Sequence, residues 1–197
     1  MAESPTEPKS DKRERTRVRL LEAAAQVIAE KGFEGSSLEA IARRAGMTRG
    51  AIYANFRNRD ELFLAVVETR WRPIMPRFEE RSSYADQMGA LAQAVVAALP
   101  ARKAAAVGAA SFNAYALTHE PMRARLVQLN AETYRRMAQG IVASVPEREL
   151  PMRPETFARV LHGLIEGLVA LSSLTPELIT PDVIRAAFEA LGRIPPR

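Results

Sequence analysis

The sequence contains no cysteine, and this absence excludes disulfide bonds, thiolate catalysis and cysteine-ligated zinc sites together. Uninterrupted apolar runs are also short, and AVVAALP at 94–100 falls well below the roughly 20 residues that span a bilayer. The first residues, MAESPTEPKSDK, are polar and acidic and lack the apolar core of a secretory signal. We therefore predict a cytoplasmic protein without a membrane segment and with a disordered tail over residues 1–10.

Signals for β-strands and for catalysis are missing as well. Apolar and polar residues do not alternate over any sustained stretch, as they would in a half-buried strand. The motifs G-x-S-x-G, G-x-G-x-x-G, Walker A and H-E-x-x-H do not occur. The two histidines, His119 and His162, are far apart, and Pro121 disrupts the helical spacing that a metal site at His119 would need. The sequence thus favours neither an enzyme nor a metal site, and it predicts no cofactor.

Helical periodicity, by contrast, covers most of the 197 residues and predicts an all-α chain of about nine helices. Gly32 ends the first helix, and the second begins after Ser37 and ends at Gly46. A short third helix follows Thr48 and runs to about Phe56. The other helices are expected at 59–72, 84–99, 102–118, 121–144, 155–173 and 181–192, with a stop at Pro100.

The net charge of +5 is concentrated near the N-terminus. Five basic residues against one glutamate give Lys12–Arg19 a local charge of +4, and five arginines against Glu39 give Ser36–Arg59 another +4. Together these segments exceed the excess of the whole chain, so the remainder is slightly acidic. A polyanionic partner for this part of the chain would explain the asymmetry, and a solvated basic face would explain it equally well.

Residues 37–56, SLEAIARRAGMTRGAIYANF, have the layout of two short helices joined by a glycine-containing turn. Leu38, Ile41 and Ala42 form the apolar side of the first of these helices. Gly46 can adopt the left-handed backbone conformation that a side chain would penalise. The stretch therefore predicts a helix-turn-helix unit.

The second of the two short helices has two different faces. Ile52 and Phe56, four residues apart, share an inward stripe. The residues left facing outward are Arg49, Gly50, Tyr53 and Asn55. A polar face with one aromatic residue is what a reader of the DNA major groove presents. The alternative for Tyr53 is a half-buried core aromatic.

Residues 20–62, LLEAAAQVIAEKGFEGSSLEAIARRAGMTRGAIYANFRNRDEL, resemble the DNA-binding domain of TetR-family transcriptional regulators. The alanines of the first helix, the Gly-Phe pair after it and Tyr53-x-x-Phe56 all occur in the family's order. The resemblance implies a helix-turn-helix domain at 11–58, a connecting helix at 59–76 and an effector-binding and dimerisation domain at 77–197. It also implies a regulator of transcription that binds double-stranded DNA.

The same resemblance assigns roles to individual side chains. It implies phosphate contacts by Ser37, Thr48, Tyr53 and Arg59, and it implies base-edge contacts by Arg49, Gly50, Ala51 and Asn55. Arg44 is a further candidate for a phosphate contact, or else a solvated charge that complements the end of its helix. Ala54-Asn55 replaces the pair of histidines frequent in the family, so the operator sequence cannot be carried over from relatives.

The resemblance further implies a pocket for a small-molecule effector of unknown identity. Its apolar and aromatic candidates are Trp71, Phe78, Met88, Phe112, Tyr115 and Tyr134, and its polar candidates are Asn113, His119 and His162. Ordinary core packing is the competing explanation for each of these residues. A ligand-independent DNA-binding protein of the same fold is the corresponding alternative for the whole chain.

The last two predicted helices suit a four-helix dimer interface. Small and apolar residues form a stripe on the first of them: Val160, Gly163, Gly167, Ala170 and Leu174. Ile184 and Phe188 of the final helix would extend that surface. The sequence therefore predicts a homodimer on a palindromic operator, with recognition helices about 34–36 Å apart, and a repressor that an effector releases.

Overall fold

The computed structural model describes residues 9–70, 74 and 82–196, and this part of the chain contains no β-strand. It forms eight α-helices and one 3-10 helix at Glu147–Glu149. The α-helices are α1 (Lys9–Lys31), α2 (Leu38–Arg44), α3 (Arg49–Tyr53), α4 (Arg59–Arg70), α5 (Tyr84–Thr118), α6 (Glu120–Ser144), α7 (Pro154–Leu174) and α8 (Pro181–Gly192). The predicted all-α fold is confirmed, with eight helices in the described residues where about nine were expected.

The helix count differs because α5 continues through Pro100. The expected stop at this residue was wrong. Proline removes one backbone donor and crowds the preceding turn, but alanines on both sides of Pro100 are the strongest helix formers. Val95 is fully buried one turn before it, so packing also holds the helix together there.

Helix α1 begins at Lys9, inside the predicted disordered tail, and residues 1–8 lie outside the described part of the chain. Its buried side includes Leu20, Ala24 and Val27, whereas Val18 is 44% exposed. Gly32 ends the helix with a φ of 68°, as the sequence predicted.

The chain divides into two compact units, and the division does not follow the predicted domains. The first unit contains α1 to α4 together with Val107–His119, the last part of α5. The second contains α5 up to Ala106 and the chain from Glu120 onward. Segment 107–119, which the sequence analysis placed in the second domain, therefore packs with the DNA-binding helices.

An aromatic cluster around Phe33 forms part of the core of the first unit. Its ring centre lies 3.9 Å from that of Phe63, 5.1 Å from that of Phe112 and 5.5 Å from that of Tyr115. The backbone N–H of Phe33 donates to Oγ of Ser111 at 2.8 Å. These contacts tie the α1–α2 connection to α4 and to the end of α5.

The core of the second unit lies between the first part of α5, α6, α7 and α8. Its fully buried members include Val95, Phe157, Ile184 and Phe188. By length and composition alone, α5 and α7 each contain an 18-residue window apolar enough to cross a bilayer, with mean hydropathies of 1.3 and 1.4. Core helices of soluble proteins pass the same test, and both helices contribute to this core.

Candidate nucleic-acid interface

Local hydrogen bonds define both ends of α2. Oγ of Ser37 accepts from the backbone N–H of Ala40 at 3.1 Å and caps the start of the helix. At the other end, Gly46 has a φ of 64°. The N–H of Gly46 donates to the carbonyl of Arg43, and the N–H of Met47 donates to that of Ala42. This pair of bonds is a Schellman motif, which requires the left-handed residue that the sequence predicted.

Helix α3 presents two faces, as the spacing of its residues predicts. Oγ1 of Thr48 caps the helix by accepting from the N–H of Ala51 at 3.3 Å. Ile52 and Phe56 are buried in the first unit. Arg49 and Gly50 are exposed on the other side, and Tyr53 is 45% exposed. With this exposure Tyr53 is accessible to a partner, and its contact with DNA stays a prediction.

Arg49 lies at the centre of the outward face. Its Nε is 3.3 Å from Oε1 of Glu39, and its guanidinium carbon is 5.6 Å from the centre of the Tyr53 ring. Hydrogen bonding to Tyr53, the attraction of its phenolate at the high pH where arginine titrates, and the Glu39 carboxylate raise the pKa of Arg49 above its ordinary value. The side chain remains 69% exposed, so its cation is both oriented and accessible to a partner.

Asn55 does not belong to the outward face. Helix α3 ends at Tyr53, and the half-buried Asn55 turns its Nδ2 back to donate to the carbonyl of Ala51 at 2.8 Å. Its Oδ1 is buried without a hydrogen-bond partner. The prediction that Asn55 reads a base is thus contradicted, because its side chain is half-buried and donates its hydrogen bond to a carbonyl of α3. Ala51 itself is half-buried.

Arg59 and Arg44 were expected at phosphates, and both face protein groups instead. The guanidinium of Arg59 donates to the carbonyl of Phe33 and lies 4.9 Å from the centre of the Phe63 ring. Arg44 forms two hydrogen bonds with the carboxylate of Glu30, at 2.6 and 2.8 Å. From the sequence, both cations were counted as available to DNA. Their actual partners are 26 and 14 positions away along the chain, and local patterns do not reveal them.

Three arginines of α1 reach the ends of α2 and α3, and no individual role was predicted for them from the sequence. Arg19 donates to the carbonyl of Ala45 at 2.9 Å, Arg17 to that of Asn55 at 3.4 Å and Arg13 to that of Ala54 at 3.4 Å. The acceptors are the carbonyls of the C-cap residues of α2 and α3 and of the residue that follows the second cap. The spacing of Arg13 and Arg17, one helical turn apart, is the signal in the sequence that places them on one face.

The candidates for the effector pocket are divided between the two units. Phe112 and Tyr115 pack on Phe33 in the first unit, where Asn113 is exposed and His119 stacks on Tyr115. These four candidates are thereby separated from those of the second unit, because the end of α5 packs on Phe33. Trp71 and Phe78 lie outside the described residues.

The remaining three candidates lie in the second unit. Met88 is 3% exposed and lines a cavity of about 20 Å³, which is room for roughly one water molecule. The hydroxyl of Tyr134 lies 2.8 Å from Nδ1 of His162. Burial, and to a lesser extent Glu166, raise the pKa of Tyr134, against the opposing charge of Arg159. The structure therefore brings together two residues that the sequence suggested as contacts of an effector.

The predicted dimer surface is exposed in part. Val160 is 40% and Leu174 77% exposed, and Gly163, Gly167 and Ala170 are exposed between them. Ile184 and Phe188 are fully buried within the second unit. These two positions were wrong as interface residues, because the inward side of α8 packs into its own core.

Two capped short helices, a Schellman turn between them and an exposed cationic face on the second define a helix-turn-helix DNA-binding protein. Comparison with known proteins identifies the family. The model of the tetR family of bacterial regulatory proteins matches residues 20–66, and that of the C-terminal region of BetI-type transcriptional repressors matches residues 85–191.

Individual relatives agree with the family models over nearly the whole chain. The HTH-type transcriptional regulator SrpR of Pseudomonas putida is 30% identical over 192 residues, which cover 93% of this chain and 88% of SrpR. NalD of Pseudomonas aeruginosa, the secondary repressor of the MexAB-OprM multidrug efflux pump, is 28% identical with a TM-score of 0.66, covering 94% of this chain and 98% of NalD. A putative TetR-family regulator from Rhodococcus sp. shares the fold, with 22% identity, a TM-score of 0.73 and coverages of 90% and 96%.

The chain belongs to the TetR family, and it is a DNA-binding transcriptional regulator.

Proposed function

We propose that this protein is a repressor that binds a palindromic operator as a homodimer and leaves it when a small molecule binds the second unit. The observation that carries the DNA-binding part is the outward face of α3, where Arg49, Gly50 and Tyr53 lie opposite the buried Ile52. Arg49 can donate two hydrogen bonds to a guanine edge. The phosphate contacts are assigned to Ser37, Thr48 and Tyr53.

The effector part rests on the second unit. This region matches the C-terminal model of BetI-type repressors. Its half-buried Tyr134–His162 pair offers a ring and a hydrogen-bonding group on neighbouring helices. A coupling of about 1–3 kcal/mol between effector and DNA would change operator affinity by roughly 5- to 150-fold. We assign the movement to α4, whose first turn is held by a hydrogen bond from the Tyr115 hydroxyl to Oδ1 of Asp60 at 2.9 Å.

The dimer part rests on the exposed stripe of α7. Its opposite side, which includes Phe157, Leu161 and Ile165, is buried in the core. An added Cβ at Gly163 or Gly167 would meet no atom within 4 Å, so a partner helix can approach the backbone there. Two-fold symmetry would pair this stripe with itself.

Because the DNA of a cell is its target, we place the protein in the cytoplasm.

A two-stage experiment tests the proposal. An operator is first selected from random duplex DNA with the full-length protein, and its affinity is then measured with increasing concentrations of candidate effectors. Amphipathic antimicrobial compounds are the first panel, because the relative NalD represses a multidrug efflux pump. We expect at least one compound to weaken operator binding by 5-fold or more. Binding that no compound weakens, in this panel and in a broader metabolite panel, would favour the ligand-independent alternative.

A further inference from the structure

Arg13, Arg17 and Arg19 of α1 contact the C-terminal ends of α2 and α3. Arg17 reaches the carbonyl of Asn55, and its guanidinium carbon lies 4.6 Å from the centre of the Phe56 ring. Arg13, one turn earlier, reaches the carbonyl of Ala54. Both acceptors lie in the turn that ends α3, and Ala54 is its C-cap residue.

The acceptors are the carbonyls of the C-cap residue Ala54 and of Asn55 just beyond it. The helix dipole places negative charge at this end of α3, so a cation beside it is favourable. Helix α3 has five residues, far fewer than the roughly 12 that a helix needs to be stable alone in water. Its orientation therefore depends on contacts with other elements. Ile52 and Phe56 provide such contacts only on the inward side of the helix.

We propose that Arg13 and Arg17 are positioning residues that hold the C-terminal end of α3 at its reading angle, and that they are not phosphate ligands. The inference rests on DNA reading by α3 and does not depend on an effector. Arg17 contributes both a hydrogen bond and the contact of its guanidinium with the buried Phe56 ring. Arg13 and Arg17 act on adjacent carbonyls, so they fix the end of α3 from one side.

The two roles have different signatures in salt. A side chain that neutralises a phosphate releases a counterion, so its removal lowers the slope of log K against log salt by about 0.9 for each contact. In a symmetric dimer the loss would be about 1.8. A positioning residue changes the geometry of the reading helix, so its removal weakens binding to the selected duplex and leaves the slope as it was.

The first experiment uses the full-length protein and a duplex selected by it from random DNA. Affinity is measured across a range of salt concentrations for wild type, Arg17→Ala, Arg13→Ala and the matched control Lys12→Ala, which removes the same charge from the same exposed segment. We expect Arg17→Ala to weaken binding about 5- to 10-fold and Arg13→Ala about 3-fold at one salt concentration. Both slopes should stay within about 0.3 of the wild-type value.

The second experiment needs no DNA. Amide hydrogen exchange over residues 48–57 reports local opening of α3. We expect exchange there to be about 5-fold faster in Arg17→Ala than in wild type, and unchanged in Lys12→Ala. Thermal unfolding confirms that each variant is folded at the temperature used. Arg13→Ala, at an exposed position, tests the inference if Arg17→Ala does not fold.

Several results would overturn the proposal. They are a slope reduced by about 0.9 or more in either arginine variant, unchanged affinity for the selected duplex, or exchange over 48–57 equal to that of Lys12→Ala. If selection enriches no duplex, the fault lies with DNA reading, and the exchange experiment still decides whether the two arginines hold α3.

Discussion

The turn between α2 and α3 allows a prediction in which one chemical change has opposite effects at two positions. Gly46 has a φ of 64°, where a side chain costs about 1–2 kcal/mol. An added Cβ would lie 3.8 Å from Nη2 of Arg19, which is ordinary van der Waals distance, so no steric penalty is added. Alanine also reduces the entropy of the unfolded chain, which returns about 0.4–1 kcal/mol. Gly46→Ala should therefore destabilise the first unit by about 1 kcal/mol.

Gly50→Ala is the matched control. Gly50 lies inside α3 with ordinary helical geometry, and an added Cβ would lie 3.8 Å from Oγ1 of Thr48. Alanine is favoured over glycine in a helix by up to about 1 kcal/mol, so this variant should be neutral or more stable. The same methyl group projects from the outward face, and we expect it to weaken binding to the selected duplex by blocking close approach of the backbone.

Native-state hydrogen exchange of the α2 and α3 amides measures these free energies for the unit concerned. We expect exchange about 5-fold faster in Gly46→Ala and no faster than wild type in Gly50→Ala. Equal exchange in wild type and Gly46→Ala would refute the argument from left-handed backbone. A Gly50→Ala protein that binds the duplex with undiminished affinity would show that the backbone at this position does not approach the DNA.

Three further predictions concern other parts of the molecule. Arg49→Ala should relax base preference at one operator position, by about 1–3 kcal/mol. Tyr53→Phe, by contrast, should weaken binding to all sequences alike. The reverse pattern in binding-site selection would contradict both roles. Gly167→Leu should give monomers in analytical ultracentrifugation with the helical content intact, and a dimeric variant would exclude this interface. Burial raises the pKa of Tyr84 to about 12, so the free energy of unfolding should be intact below pH 10 and fall towards pH 12, and Tyr84→Phe should reduce that fall.

Much of the fold was predictable because its signals are local. Ser37 and Thr48 cap their helices by bonding to N–H groups three residues away, and Gly46 supplies a backbone conformation that few other residues adopt. The inward Ile52 and Phe56 follow from a spacing of four in a helix. Each of these features depends on neighbours within one or two turns, so the sequence alone contains the information.

The functional site was predictable in part. Arg49, Gly50 and Tyr53 are exposed as expected, since a residue on the opposite side of a helix from a buried stripe has little choice of environment. Arg59 and Asn55 were misassigned, because periodicity gives the direction of a side chain and not the group that it meets. The carbonyl of Phe33 that receives Arg59 is 26 positions away.

The sequence by itself determined the all-α class, the capped helix-turn-helix and the outward face of α3. Tertiary structure decided which cations remain accessible, because Glu30 neutralises Arg44 and terminal carbonyls engage arginines of α1. It also decided that the end of α5 packs on Phe33 and that Ile184 and Phe188 lie in a core. The physical reason is the same throughout: helix formation is governed by neighbours along the chain, whereas charge pairing and burial depend on groups that only folding brings together.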